Sequence, residues 1–105
     1  MFEDWPVTFN PAPRRIVEPP LPVTVDVAAA IRQPGNRPMN ELPLRVRAEG
    51  LALDVRVPGQ LLAWARTTGG SWICLLHFAI PAGNGCGHLT VTQWCASDAA
   101  TPTQP

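Results

Sequence analysis

This sequence predicts an all-β fold, a small antiparallel five-stranded SH3-like barrel or roll preceded by an extended Pro-rich arm. Two observations carry the prediction. Nine of the 13 prolines in the 105-residue chain fall between Pro6 and Pro43. Proline fixes φ and removes a backbone donor, so such a segment resists a regular hydrogen-bonded ladder. From Leu44 to Cys95 the chain instead runs through short alternating or apolar segments, separated by Pro-Gly, Gly-Gly and a glycine-rich stretch. That is the pattern of short strands joined by tight turns.

The arm spans residues 1–42. Pro6, Pro11, Pro13, Pro19, Pro20 and Pro22 favour polyproline II or irregular backbone around the central pair Arg14-Arg15. Val23–Val27 alternates apolar and polar residues, and is expected to add to a sheet edge. Ala28–Arg32 has helical propensity but is too short to hold a helix alone. Gln33–Pro38 has the composition of a loop. Trp5, beside Pro6, and Phe9, beside Asn10-Pro11, are candidate anchors for a partner's groove.

The β-domain spans residues 43–95. Leu44–Ala48 alternates cleanly, with Arg45 and Arg47 outward. Leu51, Leu53, Val55 and Val57 define a second inward face, with Asp54 and Arg56 outward, and Pro58-Gly59 reads as a turn. Leu61–Arg66 is a third strand, closed by the hairpin connection Thr67-Thr68-Gly69-Gly70. Ser71–Ile80 is apolar on both faces, which marks a central or bent strand. Pro81–Gly87 is a loop, Leu89–Trp94 the fifth strand, and residues 96–105 a flexible tail. Five short strands in some 50 residues fit an SH3-like barrel or roll better than an OB-type barrel, whose strands are longer.

Eight Arg balance eight Asp plus Glu, for a net charge of zero and no lysine. GC-rich coding bias accounts for the arginines, and the balance excludes the strong basic excess of a dedicated nucleic-acid binder. The acidic start Met1–Pro6 lacks the basic and apolar regions of a secretory signal. No run approaches a membrane span, so no membrane partner is expected. Three unevenly spaced cysteines fit a reducing compartment, and a cytoplasmic location is the expectation.

Cys74, His77, Cys86, His88 and Cys95 cluster in one stretch, but none of the cysteines pair at zinc-knuckle spacing. Cys74 and His77, three apart on a strand, point to opposite faces. A hairpin centred near Asn84 places Cys74 opposite Trp94 or Cys95. A Cys–His pair is the only nucleophile–base candidate, Cys86 with His88 is the best such pair, and nothing in the sequence orients the histidine. There is no Walker loop, Rossmann fingerprint, HExxH or serine elbow. The expectation is therefore no enzyme, no cofactor and no metal.

Binding is better supported. Trp64, Trp72 and Trp94 lie on expected strands, and two or more of them are expected in the core. Trp72 shares a face with Cys74, Leu76 and Phe78, whereas Trp94 shares one with Thr90 and Thr92, which makes it the candidate for exposure. Arg45, Arg47 and Arg56 form an outward stripe, diluted by Glu49 and Asp54, and Arg66 flanks the aromatic hairpin. The leading expectation is a non-enzymatic protein-interaction or adaptor module with a protein partner. The alternative is a nucleic-acid-associated small barrel using Arg45, Arg47, Arg56 and an exposed tryptophan, for which Trp94 is the candidate; Arg66 is a further binding candidate beside it. A monomer or homodimer fits the small core.

Overall fold

The computed structural model describes residues 13–31 and 50–103. They form β1 (Arg14–Asp26), α1 (Val27–Ala30), β2 (Arg56–Arg66), β3 (Trp72–Pro81), β4 (His88–Ala96), a 3-10 turn (Ser97–Ala99) and β5 (Ala100–Pro102). The strands build one antiparallel sheet in the order β4-β3-β2-β1-β5, curled into a half-barrel. The expected strand at Leu44–Ala48, with Arg45 and Arg47, lies outside the described residues, as do Trp5 and Phe9.

The sheet recruits part of the expected arm. β1 carries Pro19, Pro20 and Pro22, yet pairs with β2 from Arg14↔Ala65 to Asp26↔Arg56. The register explains how. Between Ile16↔Ala63 and Leu21↔Leu61 the residues Val17–Pro20 bulge out of the ladder, and the cis Glu18–Pro19 peptide lies within this bulge. Pro19 and Pro20 thus sit where no ladder donor is required. β2 has its own irregularity at the same level, Leu62 falling between Leu61↔Leu76 and Ala63↔Leu75. Bulges bend strands and increase twist, and both irregularities fall at this one level of the sheet.

Val23–Val27, expected as an edge strand, is placed differently. Val23–Val25 is paired on both sides, with β2 and with β5, and Val27 opens α1. Part of the expected tail supplies the true edge, since Ser97–Ala99 turns and Ala100–Pro102 pairs back onto β1.

Pro58-Gly59 is not a turn. β2 runs straight through both residues, with Thr24↔Pro58 and Val23↔Gly59 in register with β1. The β2–β3 register begins only at Gly59↔Phe78, so the N–H that Pro58 lacks falls where that pairing has ended. Gly59 is needed for close approach. A Cβ there would lie 2.7 Å from Val25 Cγ2, 2.9 Å from the His77 carbonyl oxygen and 3.2 Å from Phe78 Cβ. As a result, the two strands expected at Leu51–Val57 and Leu61–Arg66 become one strand with an irregular lead-in, in which Leu51 bridges Ala82.

β3 is the buried centre, as its two apolar faces indicate. Cys74, Leu76, Phe78 and Ile80 join Val23, Val25, Val27, Leu61, Cys95 and Ala99 in the core. α1 closes one end. The Val27 N–H donates to Val55 O, and Gln93 Nε2 donates to the terminal carbonyl of Ala30. No helix among the described residues is long and apolar enough to cross a membrane.

Candidate functional site

The described members of the sequence-derived set do not converge. Arg56 and Arg66 stand ten residues apart on β2, roughly 30 Å at the usual strand rise. That is several screening lengths at physiological salt. Arg56 shares a cleft with Thr24, Asp26, Asp98 and Thr101, so two carboxylates dilute its field. Trp94 is 39% exposed. It stands opposite Leu75 on the outer face, in a row that continues through Ala63 to Ile16.

Cys74 and Cys95 are direct cross-strand partners, both buried and both free thiols. The Cys74 Sγ lies 3.7 Å from Cys95 O and 3.6 Å from Ala96 O, so its one proton is shared between the two carbonyls. Burial, then the neighbouring Cys95 and Asp98, push its pKa up to about 11 from 9.0. Burial also raises Cys95, against a lowering hydrogen bond from Gln93. Neither is a thiolate at neutral pH, and thiolate is what nucleophilic attack or metal ligation requires. His77 is exposed on the other face of β3, within 2.6 Å of Thr92 Oγ1. Cys86 is exposed, its thiol donating to Asn84 O, and it shares an open cleft with His88. Among the described residues, no three His, Cys, Asp or Glu side chains gather as a metal set.

A raised thiol pKa links stability to pH. Between pH 9 and 11 the unfolded chain releases the Cys74 proton and the folded chain keeps it, so stability falls as pH rises through this window. The expected loss is about 2–3 kcal/mol, at 1.36 kcal/mol per pKa unit. Urea titrations across that range check it. In Cys74→Ala the alkaline decline shrinks, and an unchanged decline would refute the assignment.

The structure assembles a different site at the hairpin end of the sheet. Register sets Arg15 opposite Trp64, and Trp64 opposite Cys74; two residues further along, Arg66 faces Trp72. Arg15, Trp64 and Trp72 therefore share the face that carries the core, at the open end beyond it. The two indoles meet edge to face, with centroids 6.4 Å apart and planes at 84°. The Arg66 guanidinium lies 5.5 Å from the centre of the Trp72 ring, within cation–π range. Arg66 Nε also donates to Gly70 O, which ties the guanidinium to the turn.

Arg15, Trp64, Ser71, Trp72 and Ser97 line a cleft of about 450 Å³. That is large enough for a small ligand or a few peptide residues. Its walls are two half-buried tryptophans, its rim two serines, and it is flanked by two exposed arginines. The expectation that two or more tryptophans fill the core does not describe this arrangement. Trp64 packs against the core with one part and opens to the cleft with another, and Trp72 is also half-buried. Arg15 is not legible as a site residue in the sequence, because it lies in the Pro-rich segment expected to form the arm. The legible signal is the even spacing of Trp64 and Trp72 around the Thr67–Gly70 turn, which puts them on one face in the Arg66↔Trp72 register that the hairpin adopts.

No protein-family model, no curated protein and no solved structure matches this chain.

Proposed function

We propose that this chain is a non-enzymatic protein-interaction module built on an SH3-like roll, and that it binds an extended, proline-containing peptide across the Trp64–Trp72 cleft. The observation that carries the reading is the edge-to-face tryptophan pair opening onto a cleft flanked by Arg15 and Arg66. Perpendicular indoles make an apolar notch that suits the ridge of a polyproline II helix. That helix loses little ordering entropy because it is preformed, and it leaves its carbonyls free for donors at the rim. Ser97 lies at the rim as such a donor, Ser71 joins it when Thr67 Oγ1 donates their mutual hydrogen bond, and the arginines favour a ligand with acidic flanks. The roll is supported by a meander whose short last strand, introduced by the 3-10 turn, pairs back onto the first.

The test is a titration of the protein with decaproline, with and without flanking glutamates, followed by tryptophan fluorescence. Trp64→Ala and Trp72→Ala are each expected to weaken binding by about 30-fold or more, the effect of losing an interface hot spot. Trp94→Ala is expected to leave it unchanged. Absence of binding, or a signal that only Trp94→Ala removes, overturns the reading. A steep loss of affinity for single-stranded nucleic acid with salt, in place of peptide binding, would instead mark phosphate contacts.

A further inference from the structure

We propose that the Trp64–Trp72 groove is the docking site for this chain's own residues 3–11, so that the protein carries a tethered ligand competing with external peptides. The inference rests on the reading of the groove as a proline-peptide site, and it adds the occupant.

The chain enters the sheet at the groove. Pro13 is the first described residue, and its carbonyl accepts a hydrogen bond from the Arg66 backbone N–H at 2.7 Å. Pro13 therefore lies in the row of Arg66 and Trp72, and strand alternation puts it on the same face as Arg15. Chain upstream of Pro13 starts at the rim of the groove. From there to Ser97 the path crosses β2, β3 and the end of β4, roughly 15 Å at the usual strand spacing. The stretch from Trp5 to Pro13 reaches up to about 26 Å when extended, so the tether spans the groove with slack.

The composition of the upstream residues matches the groove. Residues 1–12 hold Trp5-Pro6, Phe9, and Pro11, which are apolar rings and prolines of the kind the notch accepts. The only charged side chains upstream of Arg14 are Glu3 and Asp4, opposite in sign to the Arg15 and Arg66 that flank the groove. Ring chemistry, charge and point of entry select the same occupant. A short tether confers an effective concentration on the order of millimolar, enough to keep a weak contact largely closed.

The experiment uses the full chain with all four tryptophans replaced by 5-fluorotryptophan and read by fluorine NMR. Trp5→Ala is expected to shift the Trp64 and Trp72 signals, leave Trp94 in place and tighten decaproline binding by about tenfold, as an occupied site is released. The double variant Pro6→Ala, Pro11→Ala is expected to act in the same direction while retaining all four signals. These shifts should not depend on protein concentration. If the variants leave Trp64 and Trp72 unmoved while added decaproline still shifts them, the tethered ligand is refuted and the groove stands. If the signals follow protein concentration, a second copy is the occupant and the intramolecular proposal falls. If decaproline moves neither signal even in Trp5→Ala, both readings fall together.

Discussion

Replacing Gly59 with alanine is expected to lower the free energy of unfolding by about 3 kcal/mol, the upper part of the usual range for overpacking a core. The size follows from what the new methyl group meets. Val25 Cγ2 at 2.7 Å belongs to a fully buried side chain, and the His77 oxygen at 2.9 Å belongs to the backbone of the central strand. Neither yields without moving β1 or β3 away from β2. Urea denaturation measures the effect. In a Val25→Ala background, where the first obstacle is already gone, the same Gly59 change should cost less, while the His77 carbonyl keeps the rest. A cost below about 0.5 kcal/mol, the range of a neutral surface change, would show that the strands do not approach this closely.

Phe78→Ala is expected to cost about 3–5 kcal/mol, the usual range for emptying a buried aromatic site. Phe78 is 2% exposed and stands opposite Gly59 on one side and Val91 on the other, so no flanking side chain collapses easily into the space. A domain of this size has a margin of only about 5 kcal/mol or somewhat more. The variant should therefore populate unfolded chain even without denaturant, visible as lost dispersion in its NMR spectrum. Ile16→Ala, 49% exposed on the outer face, is the control and should stay within about 0.5 kcal/mol of the parent. Equal effects from the two changes would mean that the core has been assigned to the wrong face.

The central hairpin is legible in the sequence alone. The two-sided apolar pattern of Trp72–Ile80 marks a buried strand, and a turn near Asn84 puts Cys74 beside Cys95, as the register shows. Parity assigns Trp94 to the polar side of its strand, and it is 39% exposed there. These readings succeed because strand alternation and hairpin closure depend only on residues close in sequence. The readings at Pro58-Gly59 and along Arg14–Asp26 fail for one shared reason. Proline and glycine are locally ambiguous. The same residues that punctuate a turn also fit a ladder that needs no donor at that point, or one that another backbone crosses within contact distance. Only the neighbouring strands settle which applies.

The candidate site divides along the same line. Trp64 and Trp72 come from one hairpin, and their spacing around Thr67–Gly70 is visible in the sequence. Arg15 and Ser97 reach the groove from segments 49 residues upstream of Trp64 and 25 residues downstream of Trp72, placed by pairing and by the 3-10 turn. The sequence by itself determined the β class, the buried central strand and the exposed face of β4, because each is written in the period of adjacent side chains. The tertiary structure decided that a proline-bearing segment enters the sheet, that a terminal segment forms its edge, and that an arginine from one and a serine from the other flank the tryptophans. Those outcomes depend on which distant backbones pair, and pairing is chosen by the burial and ladder hydrogen bonds of the whole sheet rather than by any one segment.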